Sequence, residues 1–333
     1  MSEKQIRVRF APSPTGYLHI GNLRNAFFDY LIAKKYNGKL ILRIEDTDQK
    51  RAVEDAVPRL LDIMQWCGIE FDEGAGIGGD FGPYIQTERL DIYKKYAEQL
   101  LEEGKAYYCF CTPERLEEMR NEQQAAKQAP RYDRCCKKVS LEEAKKRIEA
   151  GEKAVIRQAM PEDGEVVVHD ELRGDLKFDA KELDDHVLIK SNGIPTYQFA
   201  SVVDDHFMEI THVLRSEEWI ASLPKNILLY QVLGWTPPKF IHPSLILNKT
   251  GGKLSKRQGD VAVEDFRAKG YLPEAILNFM ALLGWNPYSS GAEHGESVSE
   301  FMTIDEIIDK FKMEDITTSP AVFDTEKLDF LNG

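Results

Sequence analysis

The chain has 333 residues, 42% apolar and 30% charged, which suits about two or three domains and a sizeable core. No run of about 18 apolar residues occurs and the N-terminal MSEKQIRVRF has no apolar signal core, which argues against a membrane span and for the cytoplasm. A net charge of −13 excludes nucleic-acid binding by bulk attraction, so a nucleic acid would have to be met by local basic patches; five unevenly spaced cysteines do not form a secreted disulfide framework.

Arg7 to Phe10 alternates charge and bulk and reads as a short strand. Ala11–Gly16, with two prolines and a glycine, forces a turn. From Leu23 the spacing is helical, with Leu23, Phe27, Tyr30 and Leu31 on one face, so a helix begins near His19–Ile20–Gly21. A strand, a small-residue loop and a helix start make a phosphate site: free N–H groups meet the anion and glycine lets it come close. The plainer reading is an ordinary strand-to-helix turn, against which stands the placing of His19 just ahead of the apolar face.

Lys39 to Ile44 reads as a buried strand, with Glu45–Asp48 at its C-terminal end, where open parallel sheets place ligands. Glu45 is the ligand candidate there, and Asp46 or Asp48 the expected cap of the next helix. That helix carries Val57, Leu60, Leu61 and Met64 on one face, with Pro58 in its first turn. Residues 72–83 hold five glycines without a GxGxxG frame and read as an irregular loop. Gln86–Arg89 opens another amphipathic helix, which Gly104 ends.

The texture changes near 106. Cys109 and Cys111 precede a highly charged helix, then Tyr132 and Cys135–Cys136, a second charged helix and three short strand-like pieces. This reads as an insertion over roughly 107–190. Thiolates at close spacing chelate zinc, but adjacent cysteines rarely hold one ion together, so one of Cys135 and Cys136 is expected to be idle. After His186 the alternation places Tyr197 on a strand beyond the Gly193–Pro195 turn. Asp204–Asp205–His206 suggests either a metal cluster or, more often, a helix cap. Arg215 ends another strand, where it can grip a carboxylate or pair on the surface with Glu217 or Glu218. Residues 248–260, with three glycines and no apolar run, form a loop whose Lys253, Ser255, Lys256 and Arg257 can wrap a triphosphate, or simply be solvated. Beyond it the chain reads as helical, with a polar loop at 291–299.

His19–Ile20–Gly21–Asn22 and Lys253–Leu254–Ser255–Lys256–Arg257 together resemble the two signatures of class I aminoacyl-tRNA synthetases, with Asn22 in place of the usual second histidine. APSPTG, RIEDTD at 43–48, GPYIQTER, DELRG, PTYQFASVVDDH, RSEEW, LPEAILNFMALLGW and FDTEKLDFLNG, in that order, resemble the glutamyl-tRNA synthetase family along essentially the whole chain. The resemblance implies an α/β fold: a Rossmann-type parallel sheet in two parts, 1–106 and 191–257, split by an acceptor-end-binding α+β domain at 107–190 and followed by a helical stem-contact region at 258–333. It implies ATP with Mg²⁺, L-glutamate and tRNA(Glu) as substrates, a monomer, and a C-terminal anticodon-binding region that this chain lacks, as a catalytic fragment would.

By motif position, His19, Gly21, Lys253 and Lys256 carry catalysis, and Pro12, Thr15, Asn22, Glu218, Ser255 and Arg257 join them around ATP. Arg9, Ser13, Glu45, Tyr197, Arg215 and Trp219 bind glutamate. Some relatives hold zinc at a CxC plus Tyr-x-x-x-Cys site, matched here by Cys109, Cys111, Tyr132 and Cys136; many hold none. Three other readings are weaker: a glutamyl-queuosine tRNA(Asp) synthetase-like enzyme, against which the long LPEAILNFMALLGW segment and KLSKR speak; an adenylyl-transferring α/β enzyme without tRNA; and a tRNA-binding module with a relic nucleotide site.

Overall fold

The structure, a computed structural model, describes residues 4–50, 53, 55–254, 261–287 and 299–333. Strand β1 (Arg7–Phe10), buried along its length, runs into the turn and then helix α1 (Ile20–Lys35). His19 is the N-cap of α1: its Nδ1 accepts the Gly21 N–H at 3.0 Å. Ile20, Leu23, Phe27 and Leu31 are fully buried, each stabilising the fold by roughly 1.5–3 kcal/mol relative to exposure. The chain returns as β2 (Lys39–Leu42), parallel to β1, and after α2 (Ala56–Trp66) as the two-residue β3 (Glu73–Gly74), parallel to β2. The glycine-rich loop thus contains a strand that its sequence did not announce. Gly74 explains the glycine there: a Cβ would lie 2.5 Å from the Leu42 carbonyl oxygen.

A 3₁₀ turn, Gln86–Arg89, leads into α3 (Leu90–Glu102), whose inward face is Tyr93, Ala97, Leu100 and Leu101. Asp46 does not cap α2. Its carboxylate accepts the Thr87 N–H (2.9 Å) and hydroxyl (2.5 Å), so it caps the 3₁₀ turn across the chain.

β4 (Ala106–Cys109), α4 (Pro113–Ala125), α5 (Leu141–Glu149), β5 (Val155–Gln158), β6 (Glu165–Asp170), β7 (Gly174–Asp179) and β8 (Val187–Ile189) follow. β4, β5 and β8 make an antiparallel three-stranded sheet. The β6–β7 hairpin lies elsewhere: β6 is parallel to β10 (Lys239–Ile241), which is parallel to β9 (His212–Leu214). The order β7-β6-β10-β9 abuts β3-β2-β1 where the Thr211 N–H meets the Arg7 carbonyl at 2.9 Å. This is a doubly wound parallel arrangement with helices packed on it, and β1 and β9 flank its switch point.

Between β8 and β9 lies α6 (Tyr197–Phe207), so Tyr197 opens a helix and does not sit on a strand. Phe199 to Asp205 are buried without a break, the polar Ser201, Asp204 and Asp205 included, so burial runs right round the helix and a buried face cannot be read from an apolar stripe. Asp204 and Asp205 are neither metal ligands nor a cap. They are buried within α6 and take Arg89, Arg43 and Arg9, while His206 turns away to stack on Trp235 at 3.9 Å.

α7 (Leu223–Val232) joins β9 to β10. Beyond lie β11 (Ile246–Leu247), α8 (Val263–Ala268), α9 (Pro273–Leu282), α10 (Ile304–Lys310), β12 (Ala321–Val322) and α11 (Thr325–Asn332). The predicted polar loop at 291–299 lies almost wholly outside the described residues. Among the described residues no helix is long and apolar enough to cross a membrane.

Candidate active site

The two signature regions are distant in sequence and adjacent in space. The Ile20 N–H donates to the Val261 carbonyl (2.7 Å) and the Val263 N–H to the Leu18 carbonyl (2.9 Å). The Glu264 carboxylate accepts the Leu18 N–H, 246 positions away. Lys253, the first lysine of the second signature, pairs with Glu218 at 2.5 Å. Ser255, Lys256 and Arg257 lie outside the described residues.

A cavity of about 410 Å³ opens at the C-terminal ends of β1 and β9, at the switch point of the sheet. Every residue predicted for glutamate lines it: Arg9, Ser13, Glu45, Tyr197, Arg215 and Trp219. Pro12, Thr15, Asn22 and Glu218 line it too. His19 and Gly21 do not. They fall between Leu18 and Asn22, which line a small adjoining cavity of about 40 Å³.

The bare helix start is not the phosphate cradle that the turn suggested. The N–H groups of Ile20, Gly21, Asn22 and Leu23 already donate, to the Val261 carbonyl, the His19 imidazole and twice the His19 carbonyl. An anion here would therefore be met by side chains. Because Nδ1 of His19 accepts, the proton of the neutral ring sits on Nε2.

The electrostatics of the cavity follow from its buried pairs. Asp205 joins Arg9 (3.1 Å) and Arg43 (2.7 Å), and Arg43 also holds Glu45 at 3.0 Å. Burial opposes ionisation of Asp205, but the Arg43 and Arg9 guanidiniums hold it below the usual carboxylate range. Burial pushes Glu45 up to about 6 against the pull of Arg43 and Arg9, leaving it ionised at neutral pH. Burial also drives the Asp29 carboxyl well above the ordinary carboxylate range.

Arg215 is different. Its guanidinium donates to the His242 Nε2 (3.2 Å) and the Asn226 Oδ1 (3.4 Å), both uncharged, and among the described residues it pairs with no carboxylate. The surface pairing with Glu217 or Glu218 does not form, because those residues take Arg173 and Lys253. Arg9 and Arg43 thus share Asp205, Arg43 also holds Glu45, and Arg215 is left without a carboxylate among the described residues. The ring of Trp219 lies 4.6 Å from that of Tyr197 and forms one wall.

Sequence reasoning missed Asn25, Asp29 and Ser216, which also line the cavity. A signal existed: Asn22, Asn25 and Asp29 recur at helical spacing on α1, a polar stripe on an otherwise buried helix.

Away from this cavity, the donor atoms of Cys109, Cys111 and Cys136 lie within 4.8 Å of one another. The Tyr132 hydroxyl is 3.2 Å from the Cys109 sulfur and 3.5 Å from the Cys111 sulfur. Cys135 is in the cluster as well, its Sγ 3.4 Å from that of Cys111. Burial works against ionisation of Cys136, yet hydrogen bonds, chiefly from Tyr132 and the Phe110 backbone, bring its thiol down to about 7.

Residues 5–330 match the family described as tRNA synthetases class I (E and Q), catalytic domain. The glutamate–tRNA ligase of Clostridioides difficile is 51% identical over 335 residues, spanning 98% of this chain and 66% of that protein. That of Chloroherpeton thalassium is 52% identical over 338 residues, spanning 99% and 66%. A crystal structure of a glutamate tRNA ligase from Elizabethkingia meningosepticum in complex with its amino acid superposes with a TM-score of 0.91 at 41% identity, over 99% of this chain and 69% of that one. The chain spans about two thirds of the length of the curated relatives it matches. With its two signatures joined beside a cavity at the sheet's switch point, and with this match along its length, the chain belongs to the class I tRNA synthetases of the E and Q group and carries their catalytic domain.

Proposed function

We propose that this chain is the catalytic portion of a glutamate–tRNA ligase. The observation that carries the reading is the cavity's charge: a guanidinium at Arg215 that meets no carboxylate among the described residues, and an ionised carboxylate at Glu45, both lining it. An acidic amino acid needs a cation for its side chain and an anion for its ammonium group. Arg9 is committed to Asp205, so Arg215 is the cation for the side-chain carboxylate; Glu45 meets Arg43 through Oε1, which leaves its Oε2 as the anion for the ammonium.

With glutamate so held, an oxygen of its α-carboxylate attacks the α-phosphorus of ATP. The bond to the bridging oxygen breaks and pyrophosphate leaves with the electron pair, giving glutamyl-adenylate. The 2′-hydroxyl of the terminal adenosine of tRNA(Glu) then attacks the acyl carbon and AMP departs. Such chemistry needs positioning and charge stabilisation more than a covalent nucleophile. His19 donates through Nε2 to charge developing on the α-phosphate, in the role expected of an oriented donor. Lys253 exchanges Glu218 for the β- and γ-phosphates together with Lys256, and Mg²⁺ accompanies ATP. Residues 107–190 meet the acceptor end of the tRNA and residues 258–333 its stem, in a cytoplasmic monomer.

The thiol cluster fits zinc in donor type and spacing: three soft donors within 4.8 Å, and Tyr132 beside them. Cys109, Cys111 and Cys136 would hold the ion with Tyr132 as fourth donor. Zinc bound there would supply structural closure of the segment that meets the acceptor end.

ATP–pyrophosphate exchange tests the function. Exchange that requires L-glutamate and tRNA(Glu), and is not supported by glutamine, is the expected result. Glutamate-dependent exchange without tRNA would favour the queuosine-modifying relative, and exchange indifferent to glutamate would end the proposal.

A further inference from the structure

Three neighbouring parallel strands end in a row of polar residues. Asp170 closes β6, His242 follows β10 and Arg215 follows β9. The main chain sets this row: Phe240 is in register with Asp170, and the Arg215 N–H donates to the Ile241 carbonyl at 3.1 Å. Asp170 and His242 are fully buried. One oxygen of Asp170 meets Nδ1 of His242 at 2.6 Å, and the other accepts the N–H groups of Leu172 (3.1 Å) and Arg173 (3.0 Å). Nε2 of His242 accepts from Nε of Arg215 at 3.2 Å.

The donors and acceptors admit one arrangement. A guanidinium N–H can only donate, so Nε2 carries no proton. The proton then lies on Nδ1, where an ionised carboxylate can only accept it. A carboxylate placed directly on Arg215 would orient it equally well but would neutralise it, as Asp205 neutralises Arg9. An imidazole orients the guanidinium and leaves its charge intact.

We infer that Asp170 and His242 form a positioning pair for Arg215, with Asp170 fixing the tautomer of His242 so that a neutral acceptor aims the guanidinium while its charge stays available for the substrate's side-chain carboxylate. This rests on the reading of Arg215 as the glutamate-binding cation. Burial, with Arg215 and Arg173 nearby, keeps the imidazole pKa below its ordinary value despite Asp170, so the ring is neutral at physiological pH. The pair is a positioning device, touching the substrate only through Arg215.

Asp170→Asn is the most telling variant. Its amide oxygen can keep the Leu172 and Arg173 N–H groups, which leaves the NH₂ facing His242. That donor forces the proton to Nε2, against the Arg215 N–H. We expect the Kd for L-glutamate, measured calorimetrically on the full chain, to rise about tenfold or more while the Kd for ATP stays within about twofold. His242→Leu should act alike. His242→Gln, whose Oε1 can replace Nε2 as acceptor, should restore glutamate binding to within about threefold. ¹⁵N spectra of the imidazole should show Nδ1–H in the parent and Nε2–H in Asp170→Asn.

A structural role alone would lower the melting temperature without separating glutamate from ATP. Near-parental glutamate affinity in Asp170→Asn and His242→Leu, or Nε2–H in the parent, would overturn the inference. Arg215→Ala separates the two levels: glutamate affinity lost there but kept in the other variants defeats only the positioning pair, whereas affinity kept in Arg215→Ala defeats the reading of Arg215 and the pair with it.

Discussion

Glu45 shows how a single buried group sets a pH window. Burial raises its carboxyl from the ordinary 4.5 to about 6, with Arg43 and Arg9 pulling the other way. A bound ammonium favours the ionised form, so glutamate binding should weaken as pH falls through about 6, approaching tenfold per pH unit below it. The substrate's own carboxyl groups titrate lower, at about 4.3 and below, and leave that window clear. Stability runs in the opposite sense. A folded pKa above the unfolded value means that the native state binds the extra proton, so the contribution of Glu45 to stability is largest below about 4.5 and is lost as pH rises through about 6. A fall in affinity between pH 7.5 and 5.5 therefore cannot come from this group unfolding the protein. Calorimetric titration across that range is the check, and a Glu45→Gln chain should be weak and nearly flat. A steep profile in Glu45→Gln would place the titrating group elsewhere.

Helix α1 makes a prediction of its own, because its N-cap residue has two tasks. The His19 imidazole caps the helix through Nδ1, and in the proposed reaction its Nε2 is the donor to the α-phosphate. Asparagine is a good N-cap but cannot replace an imidazole donor at Nε2. His19→Asn should therefore keep its urea midpoint close to the parent while losing most exchange activity. His19→Ala should lose activity and in addition about 0.5–2 kcal/mol of stability. Equal stability of the two variants would show that the cap contributes nothing. The start of α1 was legible in the sequence because turn-formers, glycine and periodicity are local signals, whereas the residues that line the cavity were named through the motif resemblance. Helix α6 was not legible. Its residues 199–205 are all buried, polar Ser201, Asp204 and Asp205 among them, so no polar face marks it as a helix and the run around Tyr197 looks like a strand. Nor could sequence show that the β6–β7 hairpin joins β10, a pairing made across an intervening helix and strands. The roles of Asp204 and Asp205 were equally hidden, since their partners lie far away along the chain.

Those two aspartates link parts of the chain that are far apart in sequence. Arg9, Arg43, Gln86, Arg89 and Tyr93 come from the first 93 residues of the chain, whereas Asp204 and Asp205 lie on α6, more than 100 residues further on. Asp204 takes Arg89 at 2.7 Å, the Gln86 amide at 2.9 Å and the Tyr93 hydroxyl at 2.8 Å, all fully buried or nearly so. Asp205 takes Arg43, 162 positions away. A buried ion pair is weak evidence of net stabilisation, because the cost of desolvating two charges offsets their attraction. Removing one partner is a different matter, since the other charge is left buried and unpaired. Asp204→Asn keeps the shape and an acceptor for Tyr93 but strands Arg89, and should cost roughly 3–5 kcal/mol in urea unfolding. Tyr93→Phe removes one hydrogen bond from a carboxylate that keeps its guanidinium, and should cost only about 1–3 kcal/mol. Glutamate affinity in folded Asp204→Asn should change less than stability, because Arg9, Glu45 and Arg215 keep their own partners. A loss of less than about 1 kcal/mol in Asp204→Asn would mean that the two halves are joined by apolar packing alone, with the ion pairs serving only to orient the cavity's arginines.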